Sequence, residues 1–79
     1  MSMIIKSTNG KEVELDRNLS TSVRVFGIDE EMELTSLLSI LSLAKVNAAA
    51  HGNDEDYRAY IEIIDELNTW ESEMVTVEF

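Results

Sequence analysis

Carboxylates dominate the residues of this chain that can do chemistry. Sixteen Asp and Glu stand against six Lys and Arg in 79 residues, a formal net charge of −10. Paired carboxylates can act as general acid and base, and clustered ones can hold hard cations. The run Asn53-Asp54-Glu55-Asp56 has the oxygen density of a calcium loop, but it lacks the loop glycine and the closing bidentate glutamate. His51 is the single histidine and falls in the last turn of an expected helix, where a cation complements the helix dipole. Cysteine is absent, which excludes thiolate nucleophiles and sulfur-ligated zinc. Gly10, Gly27 and Gly52 fall singly at expected turns and caps, so they form no phosphate-cradling loop. Tyr57, Tyr60 and Trp70 recur at helical spacing among isoleucines, the pattern of a core rather than of a base-stacking platform. These residues predict no catalytic group, no metal site and no cofactor.

The acids therefore act as a surface. A net charge of this size opposes compaction through self-repulsion. It also disfavours DNA, RNA and anionic lipid, which reward Lys and Arg. Its natural counterpart is a basic surface on another protein.

The elements that must position these charges are legible in outline. Residues 1–79 are expected to form a single small acidic α+β domain, near the lower limit at which a hydrophobic core alone suffices. Composition is 44% hydrophobic and 28% charged, that of a folded chain. Cysteine-free composition, a start without a basic segment leading into an apolar one, and the lack of a long apolar run predict a cytoplasmic protein without a membrane span.

Met3 to Leu15 reads as a β-hairpin turning on Asn9-Gly10, the signature of a type I′ turn. That turn would set Thr8 opposite Lys11, Lys6 opposite Val13 and Ile4 opposite Leu15. Ile4, Val13 and Leu15 would share the core face with Lys6 at its margin, and Glu12 and Glu14 would point away. Asp16 to Thr21 is a polar connection, and Val23-Arg24-Val25-Phe26 alternates as a third strand ending at Gly27. Asp29 is placed as the N-cap of a first helix, with Glu30, Glu31 and Glu33 in its first turn and Gly52 after its end near His51. Asn53 caps a second helix that runs to about Ser72. Glu73 to Phe79 alternates as a last strand with Val75, Val77 and Phe79 on one face. The expected order is β-β-β-α-α-β: an antiparallel sheet of three to four strands with an antiparallel helix pair packed on one face.

The second helix has one apolar face, Tyr57, Tyr60, Ile61, Ile63, Ile64, Leu67 and Trp70, opposite Arg58, Glu62, Asp65, Glu66 and Thr69. The first is apolar twice over. Leu34, Leu37, Leu38, Ile40, Leu41, Ala44 and Ala48 make one face, and Ser36, Ser39, Leu43, Val46 and Ala50, extended by Met32, follow a packed seam. That second line is either buried inside a monomer or an interface between copies, most simply a homodimer.

Antiparallel helices would gather Asp29, Glu30, Glu31 and Glu33 beside Glu66, Glu71 and Glu73, with Glu62 and Asp65 along the adjoining face. These nine acids are the expected partner-binding surface. Lys45 and His51 would lie at the other end, near Asp54, Glu55 and Asp56. The function expected is a non-enzymatic, inhibitor-like domain that occludes a basic surface, including the nucleic-acid-binding surface of a partner, as nucleic-acid mimics encoded by phages and mobile elements do. The alternative is a homo-oligomeric structural protein that assembles through the first helix.

Overall fold

The computed structural model describes residues 3–15 and 30–78. Strands β1 (Met3–Ser7), β2 (Glu12–Leu15) and β3 (Glu31–Glu33) are followed by helices α1 (Leu34–Ala50) and α2 (Asp54–Asn68), and strand β4 (Met74–Glu78) closes the fold. All strand pairs are antiparallel, in the order β2-β1-β4-β3. The element order β-β-β-α-α-β and the packed helix pair are those expected from the sequence. The expected strand Val23–Phe26, the capping residue Asp29 and Phe79 lie outside the described residues.

The hairpin forms with a different turn. Ser7 N–H donates to the Lys11 carbonyl at 2.8 Å, closing a three-residue loop of Thr8, Asn9 and Gly10. Gly10 alone has positive φ, at 91°, and Asn9 does not, whereas a type I′ turn needs positive φ at both central residues. The Ser7 hydroxyl stabilises the longer loop by donating to Asn9 Oδ1 and accepting the Lys11 N–H. The pairing becomes Met3 with Leu15, Ile4 with Glu14, Ile5 with Val13 and Lys6 with Glu12. A slip of one residue turns β1 over. Met3 and Ile5 enter the core, while Ile4 and Lys6 move to the outer face of the sheet.

The first helix also begins later than its acids suggest. Glu31, Met32 and Glu33 pair with Thr76, Val75 and Met74 of β4, so they are strand and not first turn. Alternation decides this: Met32 is 8% exposed in the core, with Glu31 and Glu33 pointing out. As a strand residue Met32 leaves the seam on which helical spacing placed it. Glu33, extended at φ −69° and ψ 140°, precedes α1 without a side-chain cap. The Leu34 N–H, which has no partner within the helix, donates to the Glu73 carbonyl at 2.8 Å.

α1 ends as expected, with Gly52 at φ 70° in the left-handed C′ position. Asn53 caps α2: its Oδ1 accepts from Asp56 N–H at 3.2 Å and its Nδ2 donates to Asp56 Oδ2 at 2.8 Å. α2 stops at Asn68, short of the expected Ser72, where the Thr69 hydroxyl bonds back to the Glu66 carbonyl. Trp70 then folds under the helix, 6% exposed, with its indole N–H on Glu66 Oε1 at 3.2 Å.

One core joins the layers. Met3, Ile5, Leu15, Met32, Val75 and Val77 of the sheet meet Leu34, Leu37, Leu41, Ala44 and Ala48 of α1 and Tyr60, Ile63 and Leu67 of α2. Burial, and secondarily the charge of Asp56, raise the Tyr60 pKa above its ordinary 10.0. The folded state therefore holds the phenol proton more tightly than the unfolded chain does. Its contribution to stability is complete below about pH 10 and is lost as pH rises through the raised value. Urea midpoints measured between about pH 9 and 11 should fall with pH, and less steeply in Tyr60→Phe than in the parent.

Candidate functional site

Strand alternation sends the odd residues of β1 and β2 and the even residue of β3 inward, which leaves the opposite set on the outer face of the sheet. Across that face Glu12 stands opposite Lys6, Lys6 opposite Thr76 and Thr76 opposite Glu31. In the next row Ile4 stands between Glu14 and Glu78, and on the other side Met74 faces Glu33. Among the described strand residues Lys6 is the only cation on this side. Its Nζ lies 3.3 Å from Glu78 Oε2, with the two side chains 41% and 55% exposed. So open a pair contributes at most about 1 kcal/mol. The other glutamates of the face are not neutralised by it.

The acids expected to gather at one end are divided by the fold. Glu33 and Glu73 meet beside a hollow of about 480 Å³ at the start of α1, bordered also by Leu38, Trp70 and Met74. Glu31 lies out on the sheet face, and Glu30, Glu71 and Asp65 are exposed, the first with its backbone carbonyl accepting from Val77 N–H at 2.8 Å. Glu62 and Glu66 face the other way. They border a groove of about 550 Å³ between β2 and α2, together with Glu12 and Glu14, over Val13, Leu15, Ala59 and Ile63. Glu66 has a structural task as well, as the acceptor for Trp70. A single acidic end is thus replaced by an acidic sheet face and an acidic groove that share Glu12 and Glu14.

Glu12, Glu14 and Glu78 were missing from the residues expected to bind a partner. The signal that marks them is the alternation Glu12-Val13-Glu14 and Val77-Glu78, which places an acid at each outward position of its strand.

The seam on α1 is exposed in the single chain. Ser36, Ser39 and Ala50 are exposed, and Leu43 and Val46 are the large apolar side chains left open, at 49% and 62%. Ser39 and Ser42 donate to the carbonyls of Thr35 and Leu38, so their hydroxyls need no outside partner. Over its length α1 carries one charge, Lys45, and no carboxylate.

The groups weighed for chemistry have local tasks. Asn53 and Asp56 close the start of α2, and the His51 N–H donates to the Asn47 carbonyl at the end of α1. Among the described residues no three His, Cys, Asp or Glu side chains are grouped to hold a metal ion. Among them, too, no helix is long and apolar enough to cross a membrane. No known protein family, curated protein or solved structure matches this chain.

Proposed function

We propose that the protein is a non-enzymatic, inhibitor-like binding domain that uses its carboxylates to cover a basic surface on a partner protein, including one that otherwise contacts nucleic acid. The observation that supports this most is the outer sheet face, where Glu12, Glu14, Glu31, Glu33 and Glu78 surround Lys6. A rigid sheet holds like charges at fixed spacing with no rotation of the backbone to relieve them. Their repulsion opposes folding in the free protein and is relieved when lysines or arginines approach. The side chains Ile4 and Met74, half-buried among these acids, supply apolar contact between the charges.

The test compares the parent with Glu31→Lys/Glu33→Lys as baits in a lysate of the native host, each eluted by a salt gradient. Both positions are exposed, so the variant should fold as stably as the parent or more so. The parent should retain a basic protein that elutes with rising salt, and the variant should lose it. Retention of the same protein by both baits at low salt refutes a role for this face.

A second function is supported by the exposure of Leu43 and Val46 on a helix without carboxylates. That strip would let copies carrying a charge of −10 approach where their repulsion is least, and assemble as a homodimer. Leu43→Glu should then lower the mass measured by light scattering to that of one chain, with little loss of stability because the position is open. A parent that scatters as a single chain across micromolar concentrations removes this second function.

A further inference from the structure

We infer that the basic partner docks as an extended segment that adds a strand to the free edge of β2, with its side chains reaching the groove beneath and the acidic face above. This rests on the acidic-surface function proposed above and specifies how that surface is used.

The sheet order puts β2 at an edge, and among the described residues no strand pairs with its outer side. Ser7 and Lys11 form a hydrogen-bonded pair at the turn, so in the antiparallel alternation Ile5–Val13 and Met3–Leu15 are bonded pairs too. The backbone groups of Val13 and Leu15 therefore point to β1, and those of Glu12 and Glu14 point outward. An edge of this kind is a template for a further strand.

What lies on each side of the edge selects the occupant. On the helix side Val13 and Ile63 form an apolar floor, and Glu62 and Glu66 stand on its α2 wall. On the open side stand Glu12 and Glu14. An added strand sends alternate side chains to these two sides. Carboxylates wait on both, so lysine or arginine stems can lie on apolar surface while their charged heads meet glutamates. A second copy of β2 is disfavoured, because pairing would set its Glu12 and Glu14 beside those of the first. A nucleic acid is repelled by the same four acids.

The test uses a synthetic peptide of four Lys-Val repeats, blocked at both ends, and a twin methylated on every backbone nitrogen. The twin keeps charge and side chains but cannot donate hydrogen bonds to the edge. Binding is followed at low salt by the amide resonances of the labelled protein. The parent peptide should bind at least about tenfold more tightly than its twin, as expected when several backbone hydrogen bonds are lost. The amides of Glu12 and Glu14 should become protected from exchange as it binds.

Glu14→Pro should reduce the parent peptide to the affinity of the twin. Proline is tolerated where the strand N–H faces away from the ladder. The twin leaves the protein unaltered, so the comparison holds even if that variant folds poorly. Equal, salt-sensitive binding of both peptides overturns strand addition and leaves the acidic-surface function standing. Slow exchange of the Glu12 and Glu14 amides before any peptide is added also overturns it, because the edge is then already taken. Failure of both peptides to bind overturns it as well, and the lysate comparison then decides the broader function by itself.

Discussion

Trp70→Ala should remove about 3–5 kcal/mol of stability, the usual cost of truncating a large buried aromatic side chain. Globular chains are stable by roughly 0.05–0.15 kcal/mol per residue, so a domain of this length has little beyond that to lose. At 37 °C a large part of the Trp70→Ala population should be unfolded. The indole is 6% exposed and sits where α2 has ended and the chain turns toward β4, with its N–H on Glu66. It therefore fills the layer between helix and sheet and also fixes the exit of α2. Trp70→Phe separates the two contributions. It keeps an aromatic ring in the core, loses the bond to Glu66 and leaves that carboxylate to water, so its cost should be about 1 kcal/mol from the hydrogen bond with a further loss from the smaller ring. Urea unfolding followed by far-ultraviolet circular dichroism measures all three proteins. A loss under about 1 kcal/mol in Trp70→Ala would show that the core does not depend on this side chain.

The second large effect is kinetic. Association with the basic partner identified in the lysate comparison should slow at least about tenfold between roughly 20 and 200 mM salt, while dissociation changes less. The screening length is about 10 Å at 0.1 M, comparable to the separation of acids on neighbouring strands and on the facing helix. Stopped-flow mixing over a salt series gives the rate directly. The free domain should respond in the opposite sense and gain stability as salt rises, because added ions relieve repulsion among Glu12, Glu14, Glu31, Glu33 and Glu78. An association rate indifferent to salt would mean that docking is governed by apolar contact, with the strip around Leu43 and Val46 the place to look.

Much of this architecture was legible in the residues. α2 was clear because its apolar positions keep one helical period and Asn53 carries its own cap. The two-sided character of α1 was visible for the same reason, and the exposure of Leu43 and Val46 follows from its having only one sheet and one helix to pack against. The hairpin was visible but its register was not. Asn9-Gly10 suits both a two-residue turn and a longer loop with only the glycine at positive φ, and the apolar run Met3-Ile4-Ile5 cannot break the tie by alternation. The Ser7 hydroxyl, with its bonds to Asn9 and Lys11, favours the longer loop.

β3 was hidden for another reason. Glu30, Glu31 and Glu33 suit a first helical turn locally, and what makes them extended is a pairing with β4 some forty residues away. The acidic site inherited both errors. Its carboxylates were recognised as a class, but register and strand pairing decide which of them share a surface, and neither is a local property.

The position of β4 between β1 and β3 bears on how the protein comes into being. β1 has its Ile4 and Ile5 bonded to Glu78 and Val77, residues more than seventy places later in the chain. During synthesis the hairpin and both helices emerge before the strand that unites them. Until residue 78 has cleared the ribosome, β3 has no neighbour, and the inner face of β1 and β2 has only half a sheet to complete. A two-stranded hairpin is marginal in water, and so is a helix pair without the surface it packs on. The nascent chain should therefore remain protease-sensitive almost to its last residues and then fold in one step after release. Joining partners so distant carries a loop-closure cost that makes this step slow for so short a chain. While that step is pending, the density of carboxylates has a use that needs no partner: unfolded copies repel one another, and their exposed apolar strands are kept from meeting.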